Sequence, residues 1–142
     1  FNEPANTFVA GFIGSPAMNL LNGKFDGKSF VIEGTDFKID LNKQFITKLK
    51  DYVGKDVILG ARPEDIYVKG DESIKSASNL FSLTCDISEL LGRELVIYNQ
   101  INNQRLIVKT NKRDDITSGD KAEYFLDLNR IHFFDPNTTN RI

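Results

Sequence analysis

The sequence predicts a mainly β protein with two short helices, folded as a small barrel or sandwich. Its apolar residues recur at every second position in many short runs, and glycine and asparagine mark turns between those runs. Helical spacing of apolar residues is confined to two short segments. We therefore expect about seven to nine short strands. The 142 residues suit one domain, or one domain with a short appended lobe.

The first helix is predicted to begin at Asn6, a suitable cap, and to end near Gly14. Phe8 and Phe12 lie four residues apart and would share one face of this helix. The helix is apolar on more than one side, so we expect it to pack against something else. The chain starts without methionine and without a signal-peptide pattern, so we expect it to be a fragment of a longer protein.

A hairpin and a second helix are predicted next. Strands Ser29–Glu33 and Phe37–Leu41 flank the turn residues Gly34-Thr35-Asp36. The second helix has Asn42 as a cap and ends at Gly54. Its apolar stripe is formed by Phe45, Ile46, Leu49, Tyr52 and Val53.

The rest of the chain alternates between further strands and turns. Asn102-Asn103 tolerates the positive φ of a tight hairpin, and Lys69–Asn79 is typical of an exposed loop. The expected strands are Val57–Ala61, Phe81–Leu91, Leu95–Gln100, Arg105–Thr110, Tyr124–Leu128 and Arg130–Phe134. This succession favours an OB-like barrel. The sequence shows no convincing internal repeat.

Composition argues against several classes of protein. Eighteen basic and twenty acidic residues give a net charge of −2, whereas nucleic-acid binders usually carry a basic excess. Cys85 is the single cysteine, which excludes an intrachain disulfide and a cysteine metal cluster and suits a reducing, cytosolic setting. Its apolar neighbours predict a buried thiol. The apolar stretches are far shorter than the ~20 residues of a membrane helix.

No catalytic, cofactor-binding or metal site is predicted. Gly27-Lys28-Ser29 resembles part of a phosphate-binding loop, but Asn22 stands where that motif needs glycine, and a strand follows it. His132 alternates with Ile131 and Phe133, which favours a packed structural histidine over a general base. Adjacent carboxylates occur only in segments read as turns and loops, where surface charge is the ordinary interpretation.

Three segments together carry a family resemblance. Glu3–Asn19 is a long and specific run, Gly60–Ile66 contains a glycine-x-arginine-proline-glutamate turn, and Asn129–Ile142 forms a closing strand and tail. In this order they resemble the region after the ATPase domain in sugar-importer ABC ATPases of the MalK type. The chain departs from that family at Ala61, where a β-branched residue is common, and at Thr139, where glycine is common. Both departures concern local turn or packing detail.

The resemblance implies a transport-associated, OB-like or MOP-like regulatory domain with a Greek-key barrel, preceded by a junction helix. Residues 1–17 would be that helix and residues 18–142 the domain. ATP and magnesium would bind the upstream ATPase domain, and this fragment would neither bind a cofactor nor hydrolyse ATP. The implied partners are a second copy, the chain's own ATPase domain, indirectly the permease subunits, and an inhibitory regulatory protein. The implied location is the cytoplasmic face of the cell membrane.

On this interpretation a few residues are candidates for interaction. The turn residues are expected to fix interdomain contacts through charge-assisted hydrogen bonds, the C-terminal strand to contribute to an interface, and the first helix to pack at the junction. These candidates are Arg62 and Glu64 in the turn, His132 and Phe134 in the strand, and Phe8 and Phe12 in the helix.

Two alternatives follow from the fold class. The first is a small-ligand sensor for an oxyanion or a sugar, for which Lys75, Ser76 and Ser78 are candidate anion contacts. The second is single-stranded nucleic-acid binding by stacking aromatics and a basic groove. The slightly negative net charge and the core-like positions of most of the eleven phenylalanines argue against the second.

Overall fold

The computed structural model describes residues 5–6, 17–70, 73–111 and 115–142. These ranges contain ten strands, one α-helix and two 3₁₀ turns, so the mainly β prediction is confirmed. The first five strands are β1 (Asn19–Phe25), β2 (Ser29–Val31), β3 (Lys38–Asp40), β4 (Lys55–Ala61) and β5 (Ile66–Val68). The others are β6 (Phe81–Leu91), β7 (Glu94–Ile101), β8 (Gln104–Thr110), β9 (Lys121–Leu126) and β10 (His132–Phe134). Helix α1 is Lys43–Lys48, and the 3₁₀ turns are Lys50–Tyr52 and Pro63–Asp65.

The strands form two five-stranded antiparallel sheets, and the strands are arranged in the same way in both. The first sheet runs β10-β4-β1-β2-β3 and the second runs β5-β9-β6-β7-β8. In each sheet three consecutive strands form a meander, and the fourth strand pairs on the other side of the first. The fold therefore contains a topological repeat that the sequence did not reveal.

The fifth strand of each sheet comes from the opposite half of the chain. β5 follows β4 directly but pairs with β9, with Ile66 opposite Leu126. β10 follows β9 but pairs with β4, with His132 opposite Gly60. Each half of the chain thus completes the sheet of the other half, and the two crossover segments meet between the sheets.

Three side-chain carboxamides close the gaps between strand edges. Asn19 in β1 donates to the carbonyl oxygen of Ile107 and accepts from its N–H, both at 2.8 Å. Gln104 in β8 makes the same pair of bonds to the backbone of Asn22, at 2.8 and 2.9 Å. Asn79 bonds the edge of β3, where the N–H of Asp40 donates to its side-chain oxygen. Each carboxamide makes hydrogen bonds to a strand edge as the backbone of a neighbouring strand would. We call these three side chains the amide clips.

The main core lies between the two sheets and is rich in aromatic rings. Phe37 contacts Phe30 of the first sheet at 6.3 Å between ring centroids and Phe81 of the second at 5.0 Å. Tyr124 is fully buried, and burial raises the pKa of its hydroxyl to about 12. Cys85 is buried as expected, and burial raises the pKa of its thiol.

A second, smaller cluster lies outside this core. It centres on Met18 and Phe134, and Leu20 and Ile58 pack against them. Phe133 belongs to the main cluster, so the predicted alternation of β10 is confirmed. Both faces of this short strand bury a phenylalanine.

Most local predictions are confirmed and some are corrected. The β2–β3 hairpin turns at Gly34 with φ +78°, and Asn102 has φ +55° in the turn between β7 and β8. The second helix is shorter than expected, because α1 gives way to a 3₁₀ turn before Val53. Strand β5 was not predicted, and β9 starts three residues before the expected Tyr124. The predicted first helix, with Phe8 and Phe12, lies outside the described residues.

Candidate interaction site

The crossover between the two sheets brings two short turns together. In the first turn, the N–H of Asp65 donates to the carbonyl oxygen of Arg62 at 2.9 Å. In the second turn, the N–H of Arg130 donates to the carbonyl oxygen of Asp127, also at 2.9 Å. The N–H of Asp127 donates to the carbonyl of Asp65 at 3.3 Å and links the turns. A backbone hydrogen bond thus joins the two crossovers.

Charged side chains are buried at this crossover. Arg62 is 7% exposed and Asp65 is 8% exposed. Burial raises the pKa of the Asp65 carboxyl, while the positive charges of Arg130 and Arg62 oppose that rise. Arg62 therefore acts inside the fold, where its charge offsets the burial of a carboxylate.

Glu64 lies in the same turn but faces solvent. It lines a depression of about 390 Å³ beside β5 and β8. Lys109 and Glu94 form an ion pair of 3.4 Å in the same depression, and Tyr67 also lines it. The turn thus separates the two candidates, with Arg62 buried and Glu64 at the surface, and the interdomain role of both stays a prediction.

The two candidates on β10 also differ. His132 is half-buried and lines a groove of about 290 Å³ between α1 and the C-terminal tail, with Lys48 and Arg141 among its walls. Phe134 is fully buried and packs so closely on Gly60 that a Cβ there would lie 2.7 Å from its ring. The side chain of Phe134 belongs to the second apolar cluster, and the interface role expected for it stays a prediction.

The serine residues proposed for an anion site take part in intrachain hydrogen bonds. Ser76 accepts from the side-chain amide of Asn129 at 2.9 Å. Ser78 accepts from the N–H of Leu126 at 2.9 Å and donates to the carbonyl of Asn79 at 2.8 Å. These bonds tie the segment before β6 to the end of β9. Lys75 is exposed beside them.

One surface feature was missed in the sequence. Ile87, Leu90 and Leu91 are 51%, 57% and 57% exposed on the arm formed by β6 and β7. The sequence predicted an extended segment here but not which side chains it would leave outside the core. The available signal was the adjacent pair Leu90-Leu91 directly before Gly92, at the end of a strand where the hairpin turns.

Two kinds of feature are absent from the described residues. No group of three or more histidine, cysteine, aspartate or glutamate side chains there is arranged to hold a metal ion. In the same ranges, no helix has the length and apolar character needed to cross a membrane.

Two joined, curled β-sheets with surface depressions define an OB-like β domain. The family described as the MalK OB fold domain matches residues 14–66. The whole chain is 43% identical over 144 residues to the oligosaccharides import ATP-binding protein MsmX of Bacillus subtilis, and covers 39% of that protein. It is 33% identical over 145 residues to the trehalose/maltose import ATP-binding protein MalK of Thermococcus litoralis, again covering 39%. Residues 14–66 thus match the MalK OB fold domain, and the whole chain is similar to a part of MalK-type ABC transporter ATP-binding subunits, of which it spans about two fifths.

A solved structure supports the fold independently. The cytoplasmic molybdate-binding protein ModG superposes with a TM-score of 0.63, covering 83% of this chain and 96% of ModG. The sequence identity is 13%, so this similarity concerns the fold alone. It agrees with the OB-like or MOP-like barrel that the sequence resemblance implied.

Proposed function

We propose that this chain is the regulatory and dimerisation domain of the ATP-binding subunit of an ABC importer for carbohydrates. The observation that carries the proposal is the match along the whole chain to subunits named for oligosaccharide and trehalose/maltose import. Because the chain spans about 39% of those relatives, ATP and magnesium would bind in an upstream ATPase domain and not here. The assembled protein would lie at the cytoplasmic face of the membrane, with permease subunits as its partners.

The structure suggests how such a domain would transmit a signal. The crossover joins the two sheets, so a partner that prefers one arrangement of the domain would act on both of them. Glu64 and His132 lie at the surface of different depressions, which suit contacts with the ATPase domain and with an inhibitory regulatory protein. Arg62 would support the first contact from within by fixing the turn that presents Glu64.

The alternative, a sensor for an oxyanion or a sugar, has weaker support. The side chains of Ser76 and Ser78 are used in intrachain bonds, and the likeness to a molybdate-binding protein is one of fold. Scanning calorimetry with molybdate, sulfate and maltose tests it, because a specific ligand raises Tm in proportion to the logarithm of its concentration.

The proposed function is tested by the solution mass of the 142-residue chain in sedimentation equilibrium. We expect a reversible monomer–dimer equilibrium, because a regulatory domain that joins two subunits needs a self-complementary surface. A strict monomer up to about 1 mM, where even an association of about −4 kcal/mol would show, would contradict the dimerisation role of this domain.

A further inference from the structure

The last residues of the chain fold back on β10. The N–H of Asp135 donates to the carbonyl oxygen of Asn140, and the N–H of Ile142 donates to that of Phe133, both at 2.9 Å. Phe134 and Arg141 form an antiparallel bridge between these two bonds. We call residues 135–142 the tail. Because β10 is an outer strand of the first sheet, the returning tail extends that sheet by a short additional pairing.

The other edge of the returning tail holds residues 5 and 6, which we call the lead-in. The N–H of Arg141 donates to the carbonyl oxygen of Ala5 at 2.8 Å, and Asn6 forms an antiparallel bridge with Asn140. Successive backbone groups of an extended segment point to opposite sides. The tail therefore contacts β10 through Asn140 and Ile142 and contacts the lead-in through Arg141, so that it lies between the two.

Asp135 organises the turn of the tail. One oxygen of its carboxylate accepts from the N–H of Asn137 at 2.7 Å and from that of Thr138 at 3.0 Å. The other oxygen accepts from the hydroxyl of Tyr52 at 2.6 Å. The hydrogen bonds from Tyr52, Thr138 and Asn137 lower the pKa of Asp135, so its carboxyl stays ionised. One side chain thus joins the turn of the tail to the 3₁₀ turn that follows α1.

Most of the tail is held by hydrogen bonds and not by apolar burial. Residues 137–141 are exposed, and Thr139 has φ +64°, a left-handed conformation that is unfavourable for a β-branched residue. Segments with few buried contacts open locally at a lower free energy than the whole domain unfolds. Opening of the tail therefore does not require the two sheets to unfold.

We propose that the tail is a clasp that holds the lead-in, and that Asp135 is the positioning residue that keeps this clasp closed. Its consequence rests on the proposed function, in which an ATPase domain precedes the lead-in. The closed clasp then fixes the direction in which that domain joins the β domain, and an open clasp leaves it free to turn.

Amide hydrogen exchange of the 142-residue chain, followed by NMR, tests the clasp. Asp135→Ala should raise the exchange rate of the Arg141 N–H by at least about fivefold, although this N–H donates to Ala5 and not to Asp135. Asp135→Asn keeps an oxygen for the turn and should restore most of the protection. If Asp135→Ala accelerates exchange only at Asn137 and Thr138, the carboxylate stabilises its own turn alone and the proposal is overturned.

Asp26→Ala is the matched control. The Asp26 carboxylate also accepts from the N–H groups two and three positions on, those of Lys28 at 2.9 Å and Ser29 at 2.7 Å, in the turn between β1 and β2. This variant should leave the exchange of Arg141 unchanged. Amides of β1 and β4 should stay protected in all three variants, which shows that the sheets remain folded.

A disulfide tests the pairing of tail and lead-in directly. The bond from Arg141 to Ala5 flanks Asn6 and Asn140, which therefore form a non-hydrogen-bonded pair. Cα atoms in such pairs are about 4.5 Å apart, within the range of a disulfide. The double variant Asn6→Cys/Asn140→Cys should form an intrachain disulfide under mild oxidation, whereas Asn6→Cys/Asn137→Cys should not. Equal yields from the two would overturn the clasp.

These outcomes are distinct from those that test the proposed function. A dimer in sedimentation equilibrium together with an unprotected Arg141 N–H would overturn the clasp alone. A strict monomer with a protected Arg141 N–H would contradict the dimerisation role alone. In the full-length subunit, X-ray scattering should show a broader distribution of interatomic distances for Asp135→Ala than for Asp26→Ala. Identical scattering would overturn the link between the clasp and the upstream domain.

Discussion

Replacement of Asn19 by leucine measures how much an amide clip contributes to joining the two sheets. Asn19 is 6% exposed and makes two hydrogen bonds of 2.8 Å to the backbone of Ile107, in a strand of the other sheet. Leucine has nearly the same shape but neither donates nor accepts. The substitution therefore removes two hydrogen bonds and leaves one N–H and one C=O of the half-buried Ile107 without their partner.

The expected cost follows from these two groups. Each hydrogen bond contributes about 1 kcal/mol net, and a buried polar group left unsatisfied costs about 1–3 kcal/mol. Because Ile107 is half-buried, its freed groups regain part of their hydration, and we expect a loss of about 2–4 kcal/mol. For a domain of this size that loss lowers Tm by roughly 8–16 °C. Urea unfolding followed by circular dichroism measures it as a shift in midpoint at constant m-value.

Gln104→Leu is the matched control. Its clip also makes two hydrogen bonds to the backbone of a facing strand, but both lie in an exposed setting where water replaces them. We expect Gln104→Leu to cost about 1 kcal/mol or less. Asn19→Leu within 0.5 kcal/mol of wild type, or no more costly than Gln104→Leu, would refute the view that the buried clip stabilises the junction between the sheets.

Further predictions concern the charges and the second apolar cluster. Burial raises the pKa of Asp65 in the folded state. The stability contributed by its protonated carboxyl is therefore full below the unfolded pKa of 3.8 and is lost as pH rises through the folded pKa. In urea unfolding at several pH values, Asp65→Asn should remove this decrease in the free energy of unfolding with rising pH. Asp26 has the opposite effect on the pH dependence of stability, because backbone hydrogen bonds lower its pKa and the stability it contributes is lost as pH falls. Asp26→Asn should therefore reduce the decrease in the free energy of unfolding at acid pH. Gly60→Ala would place a Cβ 2.7 Å from an atom of Phe134, and we expect about 1–3 kcal/mol of destabilisation in thermal unfolding. An unchanged Tm would show that the Phe134 ring moves aside freely.

The sequence predicted those parts of the fold that depend on neighbours in the chain. The β2–β3 hairpin followed from alternating Phe37, Ile39 and Leu41 beside Gly34, and the turn at Asn102 followed from a side chain that tolerates positive φ. Strand β5 was missed because it has three residues and directly follows a proline-containing turn. Short strands of this kind are stabilised by a distant partner, here β9, rather than by local propensity.

The candidate site was less accessible to sequence reasoning because it depends on contacts between distant segments. Asn19 and Ile107 are 88 residues apart, and a polar residue at the start of an apolar strand gives no sign of that contact. Phe134 was expected at an interface as a residue of the C-terminal strand. The alternation was correct, but the outer face of β10 also holds an apolar cluster, and period two does not show whether an outward face is covered. The family resemblance identified the turn at Arg62 and Glu64, and the structure separated their environments.

The exchange of β5 and β10 has a consequence for how this domain can be divided. The segment matched by the OB family, residues 14–66, contains β1 to β4 but lacks β10, and it ends at the first residue of a strand belonging to the other sheet. Expressed alone, this segment would expose the side of β4 that pairs with β10, and it would end at Ile66 without the partner strand β9. We therefore expect the two halves to fold together, since the pairing that completes the first sheet joins residues about 70 positions apart, such as Phe133 and Leu59. A C-terminal truncation that removes β10 is expected to destabilise the N-terminal sheet, because β10 is an outer strand of that sheet.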